Sequence, residues 1–178
     1  MITKGFDFAG VSLVGILNAD NLLNNPDFRA AERAFQLMMQ VAGRAGRRDD
    51  GGEVVIQTSE PGHPVIRQVA AGDFEGMARA QLAERKAFFY PPYARLTSLT
   101  LRHRDPSVLR NGVMDLAARL RTRFGRRLLG PMTPPVDRIR EEYITEFLLK
   151  IESGASASRA REVLREVLRQ TLGAKEFQ

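Results

Sequence analysis

Val11-Ser12-Leu13-Val14-Gly15-Ile16-Leu17-Asn18 is an almost unbroken apolar run, closed by the polar Ala19-Asp20-Asn21. A short run of this kind, bounded by turn formers, reads as a strand buried on both faces in a parallel sheet. After a polar loop, Pro26 and Asp27 open a helical segment over 28–42, with Phe28, Ala31, Phe35 and Met38 or Met39 recurring at three-to-four spacing. Asp49-Asp50-Gly51-Gly52 reads as a turn, and Glu53 to Thr58 (EVVIQT) as a second strand. Strand, helix, strand is the alternation of a parallel sheet, so the fold class of this part is α/β.

Further along, 64–70 and 73–87 read as helices, the second ended by Pro91-Pro92. Beyond them Arg95 to Arg102 alternates apolar and polar residues, as a strand with one wet face does. Pro106 starts a helix to about 123; Arg127-Leu128-Leu129-Gly130 is a short strand, and a proline-rich turn leads to a longer one, Tyr143 to Ile151. A last helix over 156–172 carries Ala160, Val163, Leu164, Val167 and Leu168 on one side. The order β-α-β-β-α is one strand short of a split β-α-β ferredoxin-like plait, and Lys175 to Gln178 could begin the missing strand. The expected organisation is therefore a parallel-sheet part over 1–69, a helical linker over 70–91 and a small α+β domain over 92–178.

The composition fits a folded globular chain, with 43% hydrophobic and 27% charged residues. No run of about eighteen apolar residues occurs and Met1 to Gly5 opens no signal peptide, so a cytoplasmic location is expected and no membrane partner. With no cysteine and two isolated histidines, neither a disulfide framework nor a zinc cage can be built from these residues. The net charge of +6 is uneven: residues 1–91 hold 10 basic and 11 acidic side chains, residues 92–178 hold 17 and 10. That surplus is the electrostatic footprint of a phosphate-facing domain; a solvated arginine surface is the plainer alternative, since arginine outnumbers lysine 23 to 4 throughout. Arg119, Arg121, Arg123, Arg126 and Arg127, around the end of the helix that starts at Pro106, are the candidate DNA contacts, with Arg119 and Arg123 on one helix face and Arg121 turned away.

The segment with most chemistry is Gln40-Val41-Ala42-Gly43-Arg44-Ala45-Gly46-Arg47, at the end of the long helix. At about 100° per residue, positions 40, 44 and 47 fall within roughly 60° of one another, so a glutamine and two guanidiniums are expected on one face. Two glycines so close cost a helix on the order of 2 kcal/mol relative to alanine, and close approach of a phosphate-bearing ligand is a reason to keep them. Arginine suits such a ligand because its planar fork reaches phosphate oxygens bidentately and stays charged. The plain alternative is that the glycines end the helix and the arginines are solvated.

The segment matches Q-x-x-G-R-x-G-R, motif six of the superfamily 2 helicases, at every fixed position. Upstream, Thr3-Lys4-Gly5-Phe6-Asp7-Phe8 resembles motif five. Together with Leu17-Asn18-Ala19-Asp20, Pro26-Asp27-Phe28-Arg29-Ala30, Gly52 to Thr58, Tyr90-Pro91-Pro92-Tyr93 and Leu129-Gly130-Pro131, these segments resemble the primosomal protein N prime family of replication-restart helicases. The resemblance runs from Met1 to about Ile151. It implies the C-terminal part of a second RecA-like domain, with Arg47 as arginine finger on the γ-phosphate assisted by Arg44. Gln40, Gly43, Gly46, Gly5 and Asp7 would lie near the nucleotide, and Thr3 and Lys4 near the DNA backbone. It also implies a motor moving 3′ to 5′ along single-stranded DNA, a C-terminal domain that helps to bind branched DNA, and primosome proteins as partners. ATP, magnesium and zinc are the family's cofactors. No phosphate loop, acidic magnesium box or zinc-carrying cysteine occurs here, so the chain reads as a fragment that should bind none of the three and hydrolyse no ATP by itself.

Overall fold

The computed structural model describes residues 11–45 and 52–172 and is mixed α/β. The chain divides into two compact units between Ala87 and Phe88.

In the first unit, β1 (Leu13–Ile16) and β2 (Glu53–Ile56) pair in parallel, Leu13 opposite Glu53 and Ile16 opposite Ile56. Between them run the single turn α1 (Asp20–Leu23), where the sequence suggests only loop, and α2 (Ala30–Ala42). The Asp27 carboxylate accepts the Arg29 N–H at 3.0 Å just before α2, consistent with Pro26-Asp27 as its opening. Ala30, Ala34, Phe35 and Met38 form its buried stripe. They meet Ile16 and Ala19 from the β1 end, Val65, Ile66 and Val69 of α3 (Pro64–Ala71) and Met77 of α4 (Phe74–Ala87). His63 caps α3 by accepting the Val65 N–H at Nδ1, Pro64 takes the first helical position, and Gly72 ends the helix at φ +64, where a side chain would be strained. Helix α4, placed between the two parts by the sequence, packs on α2 and α3.

One expectation about β1 is corrected. Ile16 is buried, but Leu13 is 58% and Leu17 79% exposed, so the strand is not covered on both faces. Among the described residues β1 has a single strand neighbour, β2, and an unbroken apolar run cannot tell how many neighbours lie at hand.

The second unit contains β3 (Ala94–His103), α5 (Pro106–Phe124), a 3-10 turn over Gly125–Arg127, β4 (Leu128–Met132), β5 (Arg138–Ile139), β6 (Glu142–Glu152) and α6 (Ala157–Leu172). The sheet is antiparallel with order β3-β6-β4, and the two-residue β5 pairs with β6. Among the described residues, the last strand in sequence, β6, thus lies between β3 and β4. Asp105 caps α5, accepting the Ser107 N–H at 2.7 Å, with Pro106 at the first helical position. Leu109, Val113, Leu116, Leu120 and Phe124 make a stripe along α5 that packs on Phe147, Leu149 and Ile151 of β6 and on Leu164 and Val167 of α6. Burying each such side chain stabilises the unit by about 1.5 to 3 kcal/mol. Gly130 is required where it stands: its φ is +105, and a Cβ there would lie 2.8 Å from the Glu146 carbonyl oxygen. The pairing of β4 with β6 shifts register between Leu129 and Met132. Residues 175–178, where a closing strand is expected, lie outside the described residues.

Candidate functional site

Gln40 lies exposed in the last turn of α2, and Gly43 is the residue that ends the helix, its N–H turned back to the Met39 carbonyl at 2.9 Å. Arg44 and Ala45 continue as a turn, their N–H groups bonded to Val41 and Ala42 carbonyls at 3.1 and 3.0 Å. The helical face expected to join Gln40 and Arg44 is therefore corrected, since the helix stops at Ala42 and glycine, the poorest helix former after proline, is the reason; Arg47, the third member expected on that face, is outside the described residues. Arg44 is half-buried with its Nε enclosed, and among the described residues it is the one charged side chain lining a groove of about 590 Å³ between β1 and α2 that includes Leu13, Ile16, Leu37, Met38 and Val41. The groove is apolar; the phosphate-compatible donors are the Gln40 amide and the Arg44 guanidinium at the α2 terminus. Gly46 and Arg47, and Thr3, Lys4, Gly5 and Asp7, lie outside the described residues. Among the described residues no group of three or more histidine, aspartate or glutamate side chains could hold a metal ion.

At the other ends of β1 and β2 the structure gathers a polar cluster that the sequence did not single out. Asp20 accepts the Thr58 hydroxyl, the Ser59 N–H at 2.9 Å and the Ser59 hydroxyl at 2.7 Å. The Thr58 hydroxyl above all, then the two Ser59 donors, hold the Asp20 carboxyl below its ordinary value, because each bond favours the charged form. Asn18, at φ +53, donates its N–H to the Gln57 side-chain oxygen at 3.3 Å. Residues 18–20, 57 and 58 belong to the quoted family segments and Ser59 follows the second of them, and the bonds among these residues lock the two strand ends together.

In the second unit the candidate arginines have different surroundings. Arg119 bonds both oxygens of Asp115 at 2.9 Å, one turn back on α5. Arg123 reaches Glu166 of α6 at 3.0 Å, and Arg127 bonds both oxygens of Glu152 at 2.9 and 2.8 Å. Arg127 is the main reason that the Glu152 carboxyl sits below its ordinary value. Arg121 donates to the Gly130 carbonyl at 2.7 Å. Arg126, in the 3-10 turn, is exposed and makes no ion pair with a described residue. Of the five, Arg126 is the guanidinium most available to a phosphate.

The same unit opens with an aromatic loop. Lys150 Nζ donates to the Phe88 carbonyl at 2.9 Å and stands 3.6 Å from the centroid of the Tyr90 ring. The Ser153 hydroxyl donates to the Pro92 carbonyl, and the Ser153 N–H to the Tyr93 carbonyl at 3.0 Å. The Pro91-Pro92 and Gly130-Pro131 peptide bonds are cis.

Comparison with known proteins places these features in a family. Residues 86–176 match the family described as primosomal protein N C-terminal domain. The chain is similar to proteins named replication restart protein PriA: it is 38% identical to that of Bacillus subtilis over 160 residues, 89% of this chain and 20% of the relative. With that of Treponema pallidum it shares 42% over 155 residues, 86% of this chain and 24% of the relative. With that of Synechocystis it shares 37% over 155 residues, 86% of this chain and 19% of the relative. The chain thus spans about a fifth to a quarter of the length of these relatives. A family match that covers the second unit almost from end to end, joined to relatives that align through both units, shows that this chain belongs to the primosomal protein N family and corresponds to its C-terminal part.

Proposed function

We propose that the chain is part of an ATP-dependent 3′ to 5′ DNA helicase acting in restart of stalled replication forks and in primosome assembly. In this reading residues 1–69 are the C-terminal part of a RecA-like domain and supply the arginine half of a composite ATP site. Residues 70–91, expected as a helical linker, carry α4, which packs within the first unit, and the start of the second. Residues 92–178 are a ferredoxin-like domain for branched or single-stranded DNA and primosome proteins. One observation carries the reading: Gln40 to Arg47, a full match to the helicase motif, leaves the end of α2 in a parallel β-α-β unit. The names of the relatives support it, and the strand order β3-β6-β4 is compatible with the plait.

ATP would supply the phosphoryl group whose transfer drives the motor. Arg47 would stabilise charge that develops on it, Arg44 and the Gln40 amide would hold phosphate oxygens, and Gly43 and Gly46 would leave room for their approach. In a chain extended upstream to the length of its relatives, Arg47→Ala is expected to lower DNA-stimulated ATP hydrolysis roughly 10³-fold while nucleotide binding persists, because a finger acts on the transition state. Undiminished turnover would overturn the assignment.

A second reading, a DNA- or protein-docking module without catalysis, is favoured by the position of the family match on residues 86–176 and by the 17 basic against 10 acidic side chains over 92–178. The two readings coincide in a longer chain and separate in this one, where docking without ATP turnover is expected.

A further inference from the structure

Of the four exposed aromatic side chains among the described residues, Phe74, Phe88, Phe89 and Tyr93, three fall within the first six residues of the second unit. Phe74 has an aromatic neighbour, its ring centroid 6.3 Å from that of Phe35. Phe88 and Phe89 are 62% and 55% exposed, and Phe89 adopts φ +54, a left-handed conformation that a bulky side chain takes only when its surroundings impose it. The surroundings are on view: the Lys150 ammonium clamps the Phe88 carbonyl and lies over Tyr90, Tyr93 N–H returns to the Tyr90 carbonyl at 3.0 Å, and Ser153 holds the carbonyls of Pro92 and Tyr93. The loop is tied at both ends to the end of β6 and the turn after it, and its two phenylalanine rings face solvent.

We propose that the loop Phe88–Tyr93 is a stacking platform for unpaired bases of a single-stranded nucleic acid, with Phe88 and Phe89 as the contact rings; this rests on the DNA-binding reading of the second unit. Aromatic faces pre-positioned beside cations are what sequence-tolerant recognition of a single strand requires, since every base has a π-face and every nucleotide a phosphate. The charges are complementary: Lys150 of β6 stands against the loop, Arg95 follows two residues after Tyr93, and the unit carries seven more basic than acidic side chains. A partner protein that sought only apolar burial would gain nothing from that surplus. Fixing the loop in advance also removes the ordering cost that a flexible aromatic segment would bear on binding.

The test uses the 178-residue chain and a fluorescein-labelled oligothymidine carrying one 2-aminopurine, read by anisotropy and by 2-aminopurine emission. Phe88→Ala and Phe89→Gly are each expected to weaken binding roughly tenfold and to reduce the quenching of 2-aminopurine, with the salt dependence of binding unchanged because no phosphate contact is lost. Phe89→Gly adds a control: glycine tolerates the left-handed conformation, so the thermal midpoint should hold or rise while affinity falls. Phe88→Tyr should retain affinity. If the unaltered chain binds no oligonucleotide even at low salt, the DNA-binding reading fails, and this proposal with it. If the unaltered chain binds and the variants bind equally well with equal quenching, the platform alone is overturned. A lowered thermal midpoint with unchanged affinity would assign the rings to packing against protein and overturn it as well.

Discussion

At the scale of single residues, two carboxylates and one glycine carry testable consequences. The Asp20 carboxyl is held below its ordinary value by Thr58 and then Ser59, so its charged form is the one that the fold prefers. A group depressed in the folded state contributes stability above its unfolded value, and that contribution is lost as pH falls through the folded value. Asp20→Asn should therefore lower the thermal midpoint at neutral pH and flatten its decline on acidification below the ordinary carboxylate range. A circular-dichroism melt at each pH reads this, and an acid limb as steep as that of the unaltered chain would refute it. Glu152 obeys the same sign with Arg127 as cause, but its ion pair is exposed and screened, so Glu152→Gln should move the midpoint little. Gly130→Ala should cost about 2 kcal/mol or more, because a positive φ and a backbone oxygen 2.8 Å from the new Cβ act together. Chemical denaturation measures it, and a loss within error would mean that β4 shifts away easily.

At the scale of elements, the 3-10 turn and the end of α5 should divide the arginines by their role toward DNA. Arg126→Ala should flatten the log-log salt slope of binding by about 0.7 to 0.9, the loss of one phosphate contact, whereas Arg119→Ala should flatten it less, since Asp115 already occupies that guanidinium. Anisotropy titrations at several salt concentrations separate the two, and equal slopes would reject the division. Where an element was legible in the sequence, a local signal wrote it: Pro106 announces the start of α5, and alternation announces β3. The four-residue α1 and two-residue β5 are too short for any period to emerge. The covering of β1 depends on partners remote in the chain, and the turn at Gly43 shows that residues chosen for one helical face can lie past the helix end. The Gln40 to Arg47 motif was legible from its spacing, while the Asp20 cluster was not, because Thr58 and Ser59 meet it only through the pairing of two strands. The anchoring of Phe88 by Lys150 is hidden for the same reason: the two are 62 residues apart.

At the scale of the whole molecule, the two units have separate cores, one built around Phe35 and Met38, the other around Leu116, Leu120 and Phe147. The chain by itself is predicted to release no phosphate from ATP in a coupled assay, because the motor parts that cradle the triphosphate have no counterpart in its sequence. Robust turnover from pure material would mean that the Gln40 to Arg47 motif has been misread. The strand order of the second unit has one more consequence, for synthesis. β6, the last of the described strands to leave the ribosome, is the one to which β3, β4 and β5 all bond. Until Glu142–Glu152 has emerged, the nascent chain holds Ala94–His103 and Leu128–Met132 with no ladder to join, and α5 with no sheet to cover. The first unit ends at Ala87, so all of its described core residues have emerged before the second unit begins. A stop codon anywhere before Glu142 would therefore remove the whole second unit rather than shorten it.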